Sequence, residues 1–195
     1  MARAWQRMLS GRRLDLLDPS PLDIEIEDIA HGLARVARWN GQTQGENAFS
    51  VAQHCVLVEA IFSHTHQASD RTDKLACLLH DAAEYVIGDM ISPFKAALEG
   101  GYKVVEQRLL GAVHVRFGLP VAVHVGVAEY IKQADRVAAY LEATQLAGFS
   151  LSEAADLFGR PRGLGGVGFK QFLALQPVMP TQAAEQFLKR FEALQ

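Results

Sequence analysis

Leu75-Ala76-Cys77-Leu78-Leu79-His80-Asp81-Ala82-Ala83-Glu84 decides how this chain is read. An apolar helical run carries an imidazole and a carboxylate side by side. Burying such a pair is costly unless something satisfies it. A divalent metal does so with one bond to each group. Two residues of the same chemistry stand elsewhere: His54 in Ser50-Val51-Ala52-Gln53-His54, and Asp135 in Lys132-Gln133-Ala134-Asp135-Arg136. Each falls on a predicted helix, so the chain presents His, His-Asp and Asp in order as a candidate ligand set.

The stretch around His80 reads as one helix from near Asp70 to Ile87, with Gly88 ending it. On a continuous helix His80 and Glu84 are four apart, and Asp81 and Glu84 three apart, so all three share a face. Leu78, Leu79, Ala82 and Ala83 surround them, which excludes a solvated charge stripe. Asp89 lies just beyond the helix end, where a loop carboxylate reaches the same pocket. One cation held by two neutral His and two Asp residues keeps a position open for water and lowers its pKa. Glu84 then stands as the general base for that water. The ligand set suits one divalent transition metal, and Mn, Co, Fe, Ni and Zn suit it about equally.

Outward from that stretch the periodicity is helical nearly everywhere. Residues 1–20 read as an arm ending in Asp18-Pro19-Ser20-Pro21. Ile26, Ile29, Leu33, Val36 and Ala37 predict a helix over about 26–38, closed by Trp39-Asn40-Gly41. Gln42 to Phe49 is a polar loop, and Ser50 is an N-cap for a helix to about 66. Pro93-Phe94-Lys95 opens a helical turn. Further helices are expected over about 102–117, 121–147 and 181–193, with a loop from Gly159 to Gly168. Strand signals are almost absent. The expectation is a single all-α domain over 1–195, a bundle of about six or seven helices with the metal site in its centre. Its core covers about 26–147, and a C-terminal loop and helix follow over 148–195.

Composition narrows the function classes. The 195 residues are 49% hydrophobic and 21% charged, as in ordinary globular chains. A net charge of −3 gives no basic footprint for nucleic acid. No run approaches the roughly 20 apolar residues of a membrane span. Cys55 and Cys77 both sit in apolar helical runs, which points to reduced core thiols and a cytoplasmic setting.

The ordered blocks Arg38-Trp39, Ser50-Val51-Ala52-Gln53-His54, His80-Asp81-Ala82-Ala83-Glu84-Tyr85-Val86-Ile87-Gly88-Asp89, Ser92-Pro93-Phe94-Lys95 and Lys132-Gln133-Ala134-Asp135 resemble the HD-domain superfamily of metal-dependent phosphohydrolases. Within it they resemble the bacterial 5′-deoxynucleotidase branch, the YfbR-like proteins. The resemblance implies metal ligation by His54, His80, Asp81 and Asp135, and Glu84 as the acid/base residue. It implies that Asp89 assists the leaving group or binds the sugar. Arg38 would contact the phosphate, with Lys95 as a further phosphate contact. Trp39 would crowd the 2′ position and favour deoxyribose. The substrate is then a small nucleotide rather than nucleic acid or membrane. Members of the family are often dimers, so the resemblance makes a homodimer a possible assembly, and the sequence itself does not fix the oligomeric state. Gln53 departs from the enterobacterial pattern, which has Glu there.

The leading expectation is therefore hydrolysis of deoxynucleoside monophosphates. A related branch, close to phage proteins, hydrolyses deoxynucleoside triphosphates with the same ligand set. From another class, a noncatalytic nucleotide sensor on the same scaffold is the rival, and an intact Glu84 argues against it. Tyr85 after Glu84 disfavours a guanosine tetraphosphate hydrolase. His31, His64, His66, His114 and His124 read as structural or surface histidines, with His31 the nearest to the pocket.

Overall fold

The computed structural model describes residues 4–91, 101–162 and 174–195. Lys95 and most of the Gly159–Gly168 loop lie outside them. Among the described residues the chain is mostly helical, with eight α-helices and one small sheet. The helices are α1 (Ile26–Leu33), α2 (Val51–Thr65), α3 (Arg71–Leu78) and α4 (Glu84–Ile87). They continue with α5 (Gly101–Arg116), α6 (Val125–Gln145), α7 (Leu151–Phe158) and α8 (Pro180–Leu194). None is long and apolar enough to cross a membrane.

The N-terminal arm is more ordered than its sequence suggests. Strands β1 (Trp5–Arg7) and β2 (Arg13–Asp15) pair antiparallel, with Gln6 opposite Leu14. Leu14 is the fully buried residue of this hairpin and anchors it to the core. In the loop between the strands, Ser10 donates from its amide and its hydroxyl to the buried Asp28 of α1, at 2.9 and 2.5 Å. Three-residue strands with one inward side chain are too short to show a period.

Helix α2 is the centre of the bundle and packs against α3, α6 and α8. Ser50 caps it, accepting from the Gln53 amide. Val51, Cys55, Val58, Ile61 and Phe62 are all buried, so the helix is apolar nearly all round, as a central helix must be. Its two buried polar side chains are His54 and Glu59. Glu59 is gripped by Arg190 of α8 through two bonds of 2.5 and 2.6 Å, a bidentate pair that fixes α8 on α2. Gln53 fastens the approach to α8: its amide donates to Gln176 O and its oxygen accepts from Val178 N. A glutamate there could accept but not donate, so the glutamine side chain is what makes both bonds possible.

Two expected helices are cut short. The first core helix stops at Leu33 rather than 38, because Ala37 and Ser50 pair as an isolated β-bridge that pulls the chain out of helical geometry. Arg38–Gly41 forms a separate 3-10 turn. Trp39 and Asn40 there sit in the left-handed region, with φ of 57° and 51°. The helix expected from Asp70 to Ile87 is in fact α3 and α4 with a turn over 79–83 between them. Helix α7 lies where the sequence predicts no helix, although Ser150 and Glu153 form a full capping box at its start.

Helix α1 runs across α4, and their closest approach is at Gly32. A Cβ there would meet Tyr85 O at 2.7 Å and Tyr85 Cβ at 2.8 Å. Two effects oppose each other in Gly32→Ala. Helix propensity favours alanine by roughly 1 kcal/mol. Overpacking against backbone costs about 1–3 kcal/mol, and the contact is with rigid atoms. We therefore expect Gly32→Ala to lower the urea midpoint of unfolding. A raised midpoint would show that α1 and α4 do not pack this closely.

Candidate metal centre

The turn over 79–83 is the local feature on which the site rests. Neighbouring residues on a regular helix do not face each other. Here His80 Nε2 and Asp81 Oδ2 lie 3.3 Å apart and point to a common centre. The His80 ring bonds through Nδ1 to the Cys77 carbonyl at 2.9 Å. A continuous helix would give that carbonyl to the Asp81 amide. The convergence of His80 and Asp81 thus arises from a turn, and the continuous helix that would have set Glu84 on their face at i+4 and i+3 is broken between them.

His54 enters from α2. Its Nε2 is 3.5 Å from Asp81 Oδ2 and 3.2 Å from Asp135 Oδ1, the latter from the middle of α6. His54, His80 and Asp81 each offer a ligand atom within 4.8 Å of the others, an arrangement that could hold a metal ion. Asp135 joins this group through its contact with His54. The four residues predicted as ligands are therefore brought together from three parts of the chain.

The tautomers of both histidines follow from their outer contacts. A carbonyl oxygen only accepts, so His80 Nδ1 carries the hydrogen. His54 Nδ1 faces the Glu142 carboxylate at 2.6 Å and carries its hydrogen there. Both rings, when neutral, then present Nε2 lone pairs to the centre. Neither Nε2 has a hydrogen-bond partner, although both are buried. Orphaned lone pairs facing two carboxylates are what a divalent cation would satisfy, so the donor set fits such a metal.

Charge tells the same story. Burial raises Asp81, but His80 and His54 outweigh it and hold its carboxyl well below the usual range. Burial likewise raises Asp135, and His54 and His80 outweigh it and bring its carboxyl below the usual range. Burial and Arg38 work against a charged His54, yet Glu142, Asp135 and Asp81 raise it well above the ordinary imidazole value. Burial opposes His80 too, and Asp81 raises it. With no metal bound, protons on the imidazoles supply the positive charge that this group of acids demands.

Glu142 is not among the residues that the sequence pattern singles out, and it is central here. It is fully buried on α6, two turns after Asp135 and hence on the same face. Besides His54 it accepts from Trp39 Nε1 at 2.9 Å and from Arg38 Nε at 3.3 Å. Burial raises its carboxyl, and His54 and Arg38 together bring it below its usual value. The available signal was an acid amid Ala138, Ala139, Leu141 and Ala143 at i+7 from a candidate ligand.

The remaining predicted residues cluster on one side. Arg38 Nη1 donates to Asp89 Oδ2 at 2.8 Å, so Arg38 bridges Asp89 and Glu142. Burial opposes the Arg38 charge, and Glu142, Asp89, Asp81 and Asp135 favour it strongly. The Trp39 ring stands edge-on to Phe158 and tilted against Phe149, with centroids 5.9 and 5.6 Å away. Glu84 is buried at the start of α4, and its amide donates to Asp81 O at 3.0 Å. Cys55 and Cys77 are buried free thiols, both pushed up by burial.

No known protein-family model matches the chain. It is 61% identical, over 161 residues, to an uncharacterized protein of Rhodobacter capsulatus, which spans 83% of this chain and 82% of that protein. The chain belongs to the same family as that protein.

Two outcomes follow for the isolated protein. Histidine ligands must lose their protons to bind a metal, so Mn²⁺ or Zn²⁺ binding releases protons, and its apparent affinity rises between pH 6 and pH 8. Calorimetry in buffers of differing ionisation heat measures this directly, and a flat pH profile would remove the histidines from the ligand set. Glu142→Gln weakens the hold on the His54 tautomer and should cost about 10- to 100-fold in metal affinity, the usual effect of losing a ligand's outer partner.

Proposed function

We propose that this chain is a metal-dependent phosphohydrolase of the HD-domain type that cleaves deoxynucleoside 5′-monophosphates to deoxynucleoside and phosphate. The observation that carries the reading is the convergence of His54, His80, Asp81 and Asp135 with two unpartnered Nε2 lone pairs. The ordered resemblance of the surrounding blocks to the 5′-deoxynucleotidase branch supplies the substrate class.

His54, His80, Asp81 and Asp135 would hold one divalent transition metal. Bound there, such an ion supplies Lewis acidity that polarises a phosphoryl oxygen and lowers the pKa of water. Glu84 accepts a proton from the attacking water as that water forms its bond to phosphorus. The bond from phosphorus to the sugar's 5′-oxygen breaks, and the proton taken up by Glu84 passes to that oxygen, so the products are the deoxynucleoside and phosphate; Asp89 would assist this departure or bind the sugar, as the resemblance implies. Arg38 exchanges part of its hold on Asp89 and Glu142 for the phosphate, where its planar fork grips two oxygens.

Trp39 supplies sugar selection. Its left-handed backbone is uncommon for a bulky residue and costs roughly 1–3 kcal/mol. The indole bond to Glu142 and the packing on Phe149 and Phe158 support that conformation. With its N–H engaged by Glu142, the ring has only carbon to offer a 2′-hydroxyl, which would be left unpaired.

A metal-supplemented screen of deoxy- and ribonucleotide mono- and triphosphates, with product identification, tests the reading. Phosphate from a monophosphate supports it. Tripolyphosphate from a triphosphate would assign the chain to the triphosphohydrolase branch instead. Binding without turnover of any nucleotide would favour a sensor. Within the monophosphate reading, Glu84→Ala should keep metal affinity but lose turnover by roughly 10² or more. Near-normal turnover in a folded, metal-loaded variant would remove Glu84 from the mechanism.

Sugar discrimination tests the narrower claim. Deoxyribonucleotides should be turned over faster than ribonucleotides. Trp39→Ala should narrow that gap, whereas Arg38→Ala should slow both sugars alike. Equal rates on the two sugars in the unmodified protein would leave a generic metal phosphohydrolase.

A further inference from the structure

A cavity of about 240 Å³ opens between α3, α5 and α6, and His80 and Asp135 form part of its wall. Most of the remaining wall is aliphatic, including Leu110, Val123 and Ile131. Lys132 is the exception. It stands on α6 three residues before Asp135, so the two side chains lie on one face of the helix. Lys132 is exposed, as a lysine is when its stem follows an apolar wall and its ammonium stays in water.

Lys132 has an acid in helical reach on either side, Glu129 three residues before it and Asp135 three residues after. Among the described residues it forms an ion pair with neither, nor with any other carboxylate. Asp135 instead turns Oδ1 to His54, at 3.2 Å. A cation thus stands unpaired on the wall that also carries two candidate metal ligands.

The charges of the centre give that cation a task. Asp81, Asp89, Asp135 and Glu142 bring four negative charges. Arg38 brings one positive charge, and a divalent ion between neutral imidazoles would bring two. One negative charge is left over, so an arriving phosphate dianion needs a further cation. Helix α6 sets where the cations stand. Glu142, which holds Arg38, lies about 10 Å along the helix beyond Asp135, and Lys132 lies about 4.5 Å before it. The two cations therefore flank the candidate ligand group.

We propose that Lys132 is a second phosphate-binding residue, which holds the substrate's phosphoryl group from the cavity side while Arg38 holds it from the other. Taking the ligand to be a phosphate ester rests on the reading of the metal site given above. The call for an anion beside Lys132 rests on the charges alone.

Inorganic phosphate is the probe, and its binding to the Mn²⁺-loaded full chain is measured by calorimetry, so no turnover is needed. Lys132→Met should weaken phosphate about tenfold, the lower end for a charge-assisted bond, as suits an exposed donor. Lys132→Arg keeps the charge and should restore most of the affinity. Arg136→Met removes an exposed charge from the same helix outside the cavity wall, and should change phosphate affinity by less than about twofold. The metal separates this role from a structural one. An ammonium repels a cation, so Lys132→Met should leave Mn²⁺ affinity unchanged or raise it. A parallel loss of Mn²⁺ and phosphate, no phosphate binding to the unmodified chain, or equal effects of Lys132→Met and Arg136→Met would overturn the proposal. The two readings fail separately. Phosphate binding that depends on Lys132, with no hydrolysis of any nucleotide, keeps the residue and removes the reaction. Hydrolysis of deoxynucleoside monophosphates with KM unchanged in Lys132→Met keeps the reaction and removes the residue.

Discussion

The Glu142 carboxylate, buried without exposure, receives three donors from distant parts of the chain: His54, Trp39 and Arg38. Taking a carboxylate out of water costs several kcal/mol. Charge-assisted bonds return about 1.5–3 kcal/mol each, so three of them are of the size needed to offset that cost, and one is not. The geometry is thus mutually enforced. If any donor leaves, the acid is under-satisfied, and the tautomer of a candidate ligand, the left-handed turn at Trp39 and the position of Arg38 all loosen together. Such coupling is expected of buried polar networks that are fully connected.

A second constraint acts on the backbone. Two adjacent residues, His80 and Asp81, face one centre only because helix α3 ends before them and α4 begins after them. The cost of the missing helical bonds is limited, since Ala82 and Glu84 amides still bond three residues back, to Leu79 and Asp81. Gly32 lets α1 lie flat on α4 at Tyr85, which holds the second half of this broken unit in place. The turn is therefore braced by tertiary packing rather than chosen by local propensity.

That explains what the sequence could and could not reveal. The long helices α2, α5, α6 and α8 were legible because apolar periodicity and caps such as Ser50 agree over many residues. The four candidate ligands were legible because acids and imidazoles stand out in apolar runs. The break at 79–83 was not, because Leu-Leu-His-Asp-Ala-Ala-Glu contains no Gly or Pro and favours helix on propensity alone. The competing bond from the His80 ring to Cys77 is a tertiary choice. Glu142 was overlooked for the opposite reason. It looks like an ordinary helical glutamate until burial and its distance to His54 are known. His114 reads as a structural or surface histidine, and it is buried on α5 with Nδ1 donating to the Pro120 carbonyl.

The acids and cations also divide the centre into two sides. Toward Arg38, Trp39 and Asp89, charges are paired and rings are packed, so a ligand arriving there must exchange existing bonds, which favours an anion that can replace the Arg38 carboxylate partners. Toward the cavity beside His80 and Asp135 the wall is largely aliphatic, so a ligand arriving there gains chiefly by burial. An ester that joins a compact anion to a flat heterocycle has both kinds of surface, set on either side of the bond that the His54–His80–Asp81–Asp135 group would address. A free phosphate would leave the aliphatic wall uncovered, and a free base would leave Arg38 to its carboxylates. Under the proposed activity, discrimination for the intact ester would come from occupying both sides at once, and hydrolysis, by separating the two halves, would weaken the hold on each.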